Sequence, residues 1–161
     1  MARTNPARQL LRHALATLAY RGGKTVRGAP ARFATFRSSD TTRTPGEILA
    51  HIGDLLDWAL SIARGKQTWH NSKPLPWKHE EKRFLAALKA FDRYLASGKP
   101  LRAPPEKLFQ GPIADALTHV GQIAMLRRQA GVPIRGENYF AADIAVGAVG
   151  ANQPAPHREF D

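Results

Sequence analysis

The chain contains no cysteine, so it has no thiolate metal ligand, cysteine nucleophile or disulfide staple. That absence is compatible with a reducing cytosol. No segment approaches the roughly 20 apolar residues of a membrane span. Around Met1-Ala-Arg-Thr-Asn-Pro-Ala-Arg-Gln-Leu-Leu-Arg-His13, charges interrupt every short apolar run, so the apolar centre of a secretory signal is missing. The expectation is a cytoplasmic protein with no membrane partner. Acidic residues are also scarce, 13 against 24 Lys and Arg, for a formal net charge of +11. Such an excess favours anionic partners. The basic residues are nevertheless scattered from Arg12 to Arg128, with no long block and no zinc-finger, RNA-recognition or basic-zipper signature. A solvated basic surface is therefore expected, and nucleic acid is not the expected partner.

What is present is helical periodicity. With 161 residues the chain suits one domain able to bury a core unaided. Asn5-Pro6 reads as an N-cap followed by proline in the first turn. Leu11, Ala14, Leu15, Leu18 and Ala19 then mark an apolar face before Gly22-Gly23, predicting a helix over about residues 6–21. Thr44-Pro-Gly-Glu47 matches a capping box. It opens a helix over about residues 45–64 with the stripe Ile48, Leu49, Ile52, Leu55, Leu56, Ala59 and Ile62. Between the two, Lys24 to Arg43 reads as a connection carrying a short turn at residues 31–36.

After a polar link over residues 65–76, Phe84, Leu85, Leu88, Phe91 and Leu95 define a third helix ending near Gly98. Ala103-Pro-Pro105 breaks the chain, Glu106 to Gln110 makes one short turn, and Gly111-Pro112 opens a fourth helix that closes at Gly131. Four helices, each about 30 Å long, predict an all-α antiparallel four-helix bundle. The small-residue segment after Ile134 is expected to pack partly on it as a C-terminal extension, with residues 152–161 loose and no second domain.

Chemistry concentrates on two of these helices. Asp115 and His119 lie one turn apart and project from the same side. His51 falls on the flank of its own apolar stripe, near Trp58. Two imidazoles and one carboxylate make a three-ligand set suited to zinc, nickel, iron or manganese rather than magnesium or calcium. The competing reading is that Asp115 complements the N-terminal half of its helix and His119 is a hydrogen-bonded boundary residue.

Other residues carry two readings each. Asp54 is a second partner for the His51 ring or a solvated helix charge, and Gln122 orients a ligand or makes a packing hydrogen bond. Arg127 and Arg128 offer forks for a substrate carboxylate or balance the end of their helix. Trp69 and Trp77 form a lid or pack on the bundle edge. Glu137 and Tyr139 supply acid/base groups only if the tail folds back over the cleft. His13, His79 and His157 have no paired ligand at useful spacing.

The segments Thr44-Pro-Gly-Glu-Ile-Leu-Ala-His-Ile-Gly-Asp54 and Thr118-His-Val-Gly-Gln-Ile-Ala-Met-Leu-Arg-Arg128 resemble the DinB family, the DinB/YfiT-like metal-binding four-helix bundles, over most of the chain. In that family one histidine on the second helix and two at i and i+4 on the last helix usually bind a divalent metal. The resemblance carries these positions to His51, Asp115 and His119, with aspartate replacing the middle histidine. It implies zinc or nickel as cofactor, a homodimer, and a metal-dependent transferase or hydrolase acting on a small molecule or thiol of unknown identity. The alternative function is a non-catalytic ligand-binding or dimeric interaction protein, because no conventional nucleophile and base stand out.

Overall fold

The computed structural model describes residues 5–161. Those residues are mostly helical: α1 (Pro6–Val26), α2 (Pro45–Ala63), α3 (Trp77–Ala96), the single turn α4 (Pro105–Leu108) and α5 (Ala114–Gln129). The only strands among them are β1 (Gly136–Glu137) and β2 (Glu159–Phe160), which pair antiparallel. No helix among the described residues is long and apolar enough to cross a membrane.

Both N-terminal signals in the sequence operate as expected. Asn5 Oδ1 accepts from the amides of Ala7 and Arg8 at 3.0 and 3.2 Å, meeting two of the donors that a helix start leaves unpaired. At α2 the capping box is complete, with Glu47 Oε2 accepting from Thr44 N and Thr44 Oγ1 accepting from Glu47 N. At the far end of α5, Gly131 adopts φ +73° and Val132 N donates to Arg127 O, which stops the helix where glycine alone turns without strain.

Two boundaries differ from the sequence expectation, each for a physical reason. Gly22-Gly23 does not end α1, which continues to Val26. Gly22 is instead an interior contact point, since a Cβ there would lie 2.7 Å from Phe84 Cζ of α3. The second difference is at Pro112, which does not open the last helix. The chain is already helical from Pro105, and residues Phe109–Ile113 form a π-helical turn joining α4 to α5. Proline removes an amide donor and crowds the carbonyl four residues back, and the wider turn lets the helix pass through it.

The helices α1 and α2 each pack against both α3 and α5. Their inward faces form one apolar core that includes Leu15, Leu18, Ile52, Leu56, Phe84, Leu88, Phe91, Ile113 and Ile123. The segment over residues 64–76 crosses from α2 to α3 and is tied down by polar contacts. Ser72 donates from its amide and hydroxyl to Asp54, at 2.9 and 2.7 Å, and Arg83 pairs with the same carboxylate. Asp54 is thus a buried anchor at 2% exposure, neither solvated nor bonded to His51. The C-terminal extension folds back, and Glu137 accepts from Tyr20 Oη at 2.6 Å and Lys24 Nζ at 2.7 Å. Lys24 also reaches Glu159, within the segment expected to be loose.

Candidate metal centre and its cleft

The helix α2 presents His51 and α5 presents Asp115 and His119, and the packing of α2 on α5 brings the three side chains together. One ligand atom from each lies within 4.8 Å of the other two. His119 Nε2 is 3.4 Å from Asp115 Oδ1, and His51 Nε2 is 3.8 Å from Asp115 Oδ2. The two imidazoles meet edge to face with centroids 4.8 Å apart.

The His119–Asp115 spacing matches that of two donors on one divalent ion, and the His51–Asp115 spacing exceeds it by a few tenths of an ångström. Donors about 2.1 Å from a tetrahedral ion lie about 3.4 Å from one another. The atoms face each other without forming hydrogen bonds among themselves, an arrangement that leaves their lone pairs available.

The surroundings suit ligation as well. His119 Nδ1 lies 2.6 Å from Gln122 Oε1. A carboxamide oxygen only accepts, so this contact places the ring proton on Nδ1 and leaves Nε2 free, facing Asp115. Burial, together with the fields of His119 and Arg43, lowers the His51 pKa below the ordinary histidine value. Its imidazole is therefore neutral at neutral pH, as a metal ligand requires. Trp69 packs edge-on against His51 at 5.6 Å and against Trp58 at 5.7 Å. Trp69 thus walls one side of the centre. Asp115 is half exposed and the two histidines are mostly buried, so the centre opens toward solvent on the aspartate side.

A cleft of about 890 Å³ adjoins the histidines. Ile48, Met125 and Leu126 supply its apolar surface, while Arg43, Thr118 and Gln122 are among its polar lining groups. Its volume is in the range of small-molecule sites, roughly 300–1,000 Å³.

Several sequence candidates lie elsewhere. Arg127 is buried and donates to the carbonyls of Val132, Thr25 and Arg27, so it clamps the end of α1 to α5 and offers no fork to a ligand. Arg128 is exposed and lines a separate groove. Glu137 is committed to Tyr20 and Lys24, and Tyr139 packs against Tyr20 and Arg21; neither lines the cleft. Trp77 is buried against Phe33, donating to Val26 O, and is no lid. His157 pairs with Asp143 on the surface. The cleft residues that sequence reasoning missed, Arg43 and Met125 above all, lie in a loop without periodicity and on an exposed flank of α5. No spacing signal marks either position.

No family model, curated protein or solved structure matches this chain.

Proposed function

We propose that this protein is a divalent-metal-dependent enzyme acting on a small molecule, a transferase or hydrolase, with His51, Asp115 and His119 holding zinc or nickel. The reading places the site on an antiparallel four-helix bundle of the DinB kind, on the strength of the α2 and α5 motifs. The observation that carries it is the convergence of three ligand atoms from two helices beside a large cleft, with Gln122 orienting the second imidazole.

A divalent ion bound there would act as a Lewis acid and lower the pKa of a coordinated water or thiol. The chain's own groups do the rest. His51, Asp115 and His119 supply the donor atoms, and Gln122 accepts from the His119 Nδ1 and leaves its Nε2 facing the other two. Trp69 and Trp58 shield His51 from one side, while the cleft positions a substrate on the other. A second reading, a non-catalytic ligand-binding protein, is favoured by one observation: the cleft lining holds no carboxylate and no lysine to serve as acid or base besides the histidines.

Elemental analysis of protein purified without an affinity tag or chelator tests the proposal. The expected result is near-stoichiometric zinc or nickel in the parent, lost in both His51→Ala and His119→Ala while their helical circular dichroism is retained. A parent that stays metal-free after reconstitution with zinc, nickel and manganese would sink the metal reading and leave ligand binding as the function.

A further inference from the structure

The fixed charge lining the cleft is of one sign. Its one permanently charged lining side chain is Arg43, which immediately precedes the Thr44 cap of α2. The adjacent carboxylate, Glu47, is already engaged, accepting from Thr44 N and pairing with Arg37. Among the described residues no carboxylate pairs with Arg43, and no hydrogen bond engages its guanidinium, which lines the cleft. Arg43 lines the same cleft as His51 and His119. The cleft's apolar wall is formed by Ile48, Met125 and Leu126. Met125 is 59% exposed, a long apolar side chain left uncovered inside a concave site.

We propose that this cleft takes a small amphipathic carboxylate, its carboxylate on Arg43 and its apolar body against Ile48, Met125 and Leu126. The inference deepens the reading of the cleft as a substrate site and rests on it. Charge complementarity selects the anion, since the lining offers a cation and no anion. A guanidinium grips two oxygens of one anion with parallel donors, and a carboxylate meets the cleft's single lining cation with a single charge. The apolar wall selects against a purely polar anion, which would leave Met125 hydrated. Asp115 offsets one of two charges on a bound divalent ion, so the loaded site and Arg43 together present about two positive charges. A carboxylate ligand with one further group ionised at the metal end would match them.

The test is calorimetric titration of the full chain with octanoate, octanamide and acetate, in both chelator-treated and zinc-loaded protein. The expected result is saturable octanoate binding to the metal-free chain, with octanamide and acetate each weaker by at least about threefold. Arg43→Gln should weaken octanoate by about three- to tenfold, the span expected for a partly solvated charge-assisted pair. Zinc content by elemental analysis should be unchanged in that variant. Lys89→Gln, which removes an exposed cation from α3, should bind octanoate as the parent does.

Failure of octanoate to bind the parent, equal binding of octanamide or acetate, or parent-like affinity in Arg43→Gln would each overturn the proposal. An equal loss in Lys89→Gln would overturn it too, by tracing the effect to net charge. The two readings fail separately: a chain that takes no metal yet binds octanoate through Arg43 defeats the metal centre alone. A chain that takes stoichiometric metal with no dependence on Arg43 defeats the carboxylate alone.

Discussion

At the scale of single residues, the candidate centre depends on a side chain that is not itself a ligand. Gln122 lies three positions after His119 and within one turn of it, and its Oε1 accepts a hydrogen bond from Nδ1, 2.6 Å away. Replacing it leaves the ligands intact but lets the imidazole choose between tautomers and rotate. Partners of this kind are typically worth about 10- to 100-fold in metal affinity. Gln122→Ala is therefore expected to weaken zinc binding by about tenfold in a competition titration against a chromophoric chelator. Gln122→Glu, which retains an acceptor, is expected to stay near the parent value. Equal affinities for all three proteins would show that the contact is ordinary packing. The pairing of Gln122 with His119 was legible from the i, i+3 spacing. Which of its two roles it serves was not, because that depends on where the His119 ring points.

Elements are joined here by buried charge. The segment between α2 and α3 has almost no apolar anchorage of its own, and the Asp54, Ser72 and Arg83 contacts hold it in place. Burial alone would raise the Asp54 carboxyl, but the hydrogen bonds from Ser72 and Arg83 outweigh it and leave the carboxyl below the ordinary aspartate value. A carboxyl depressed in the folded state binds its proton more readily when unfolded. Its contribution is therefore complete above the unfolded value and is lost as pH falls through the folded one. Arg83→Met leaves Asp54 buried without its cation and is expected to cost about 2–4 kcal/mol at neutral pH. Urea unfolding at pH 7 and pH 3 provides the check: the gap between parent and variant should narrow at the lower pH as Asp54 is protonated. A gap of constant size would assign the loss to packing. In the same element Asp54 illustrates what helical periodicity cannot resolve. Its position on α2 suggests a flank charge, and only the crossing segment and α3 turn that flank into the interior.

On the scale of the whole molecule, the C-terminal extension is held to the helices by a buried charge cluster. Glu137 carries no exposed side-chain surface, and its carboxylate is satisfied by Tyr20 and Lys24, with Lys24 also bridging to Glu159 on β2. Burial pulls the Lys24 ammonium down, and its bonds to Glu137 and Glu159 outweigh that pull and raise it. Removing one member of a buried pair strands the other, at a typical cost of about 3–5 kcal/mol. Because Lys24 keeps some exposure and Tyr20 remains as a donor, Lys24→Met is expected to cost somewhat less, about 2–3 kcal/mol. Equilibrium unfolding in urea measures it, and faster amide exchange at residues 136–137 and 159–160 would locate the loss in the tail. A variant as stable as the parent, with unchanged exchange, would mean that the cluster does not hold the extension. The sequence by itself determined the helical composition, the caps at Asn5 and Thr44, the stripe of α2 and the candidacy of His51, Asp115 and His119. Each of these is carried by spacing along one helix, a local property. Only the tertiary structure decided that Gly22 is a contact and not a stop, that the last helix passes through Pro112, and that Arg127 and Glu137 are clamps. It also decided that Arg43 borders the same cleft as His119. These outcomes depend on which distant surfaces meet, and the packing of α1 and α2 on α3 and α5 sets that through burial no single segment can achieve alone.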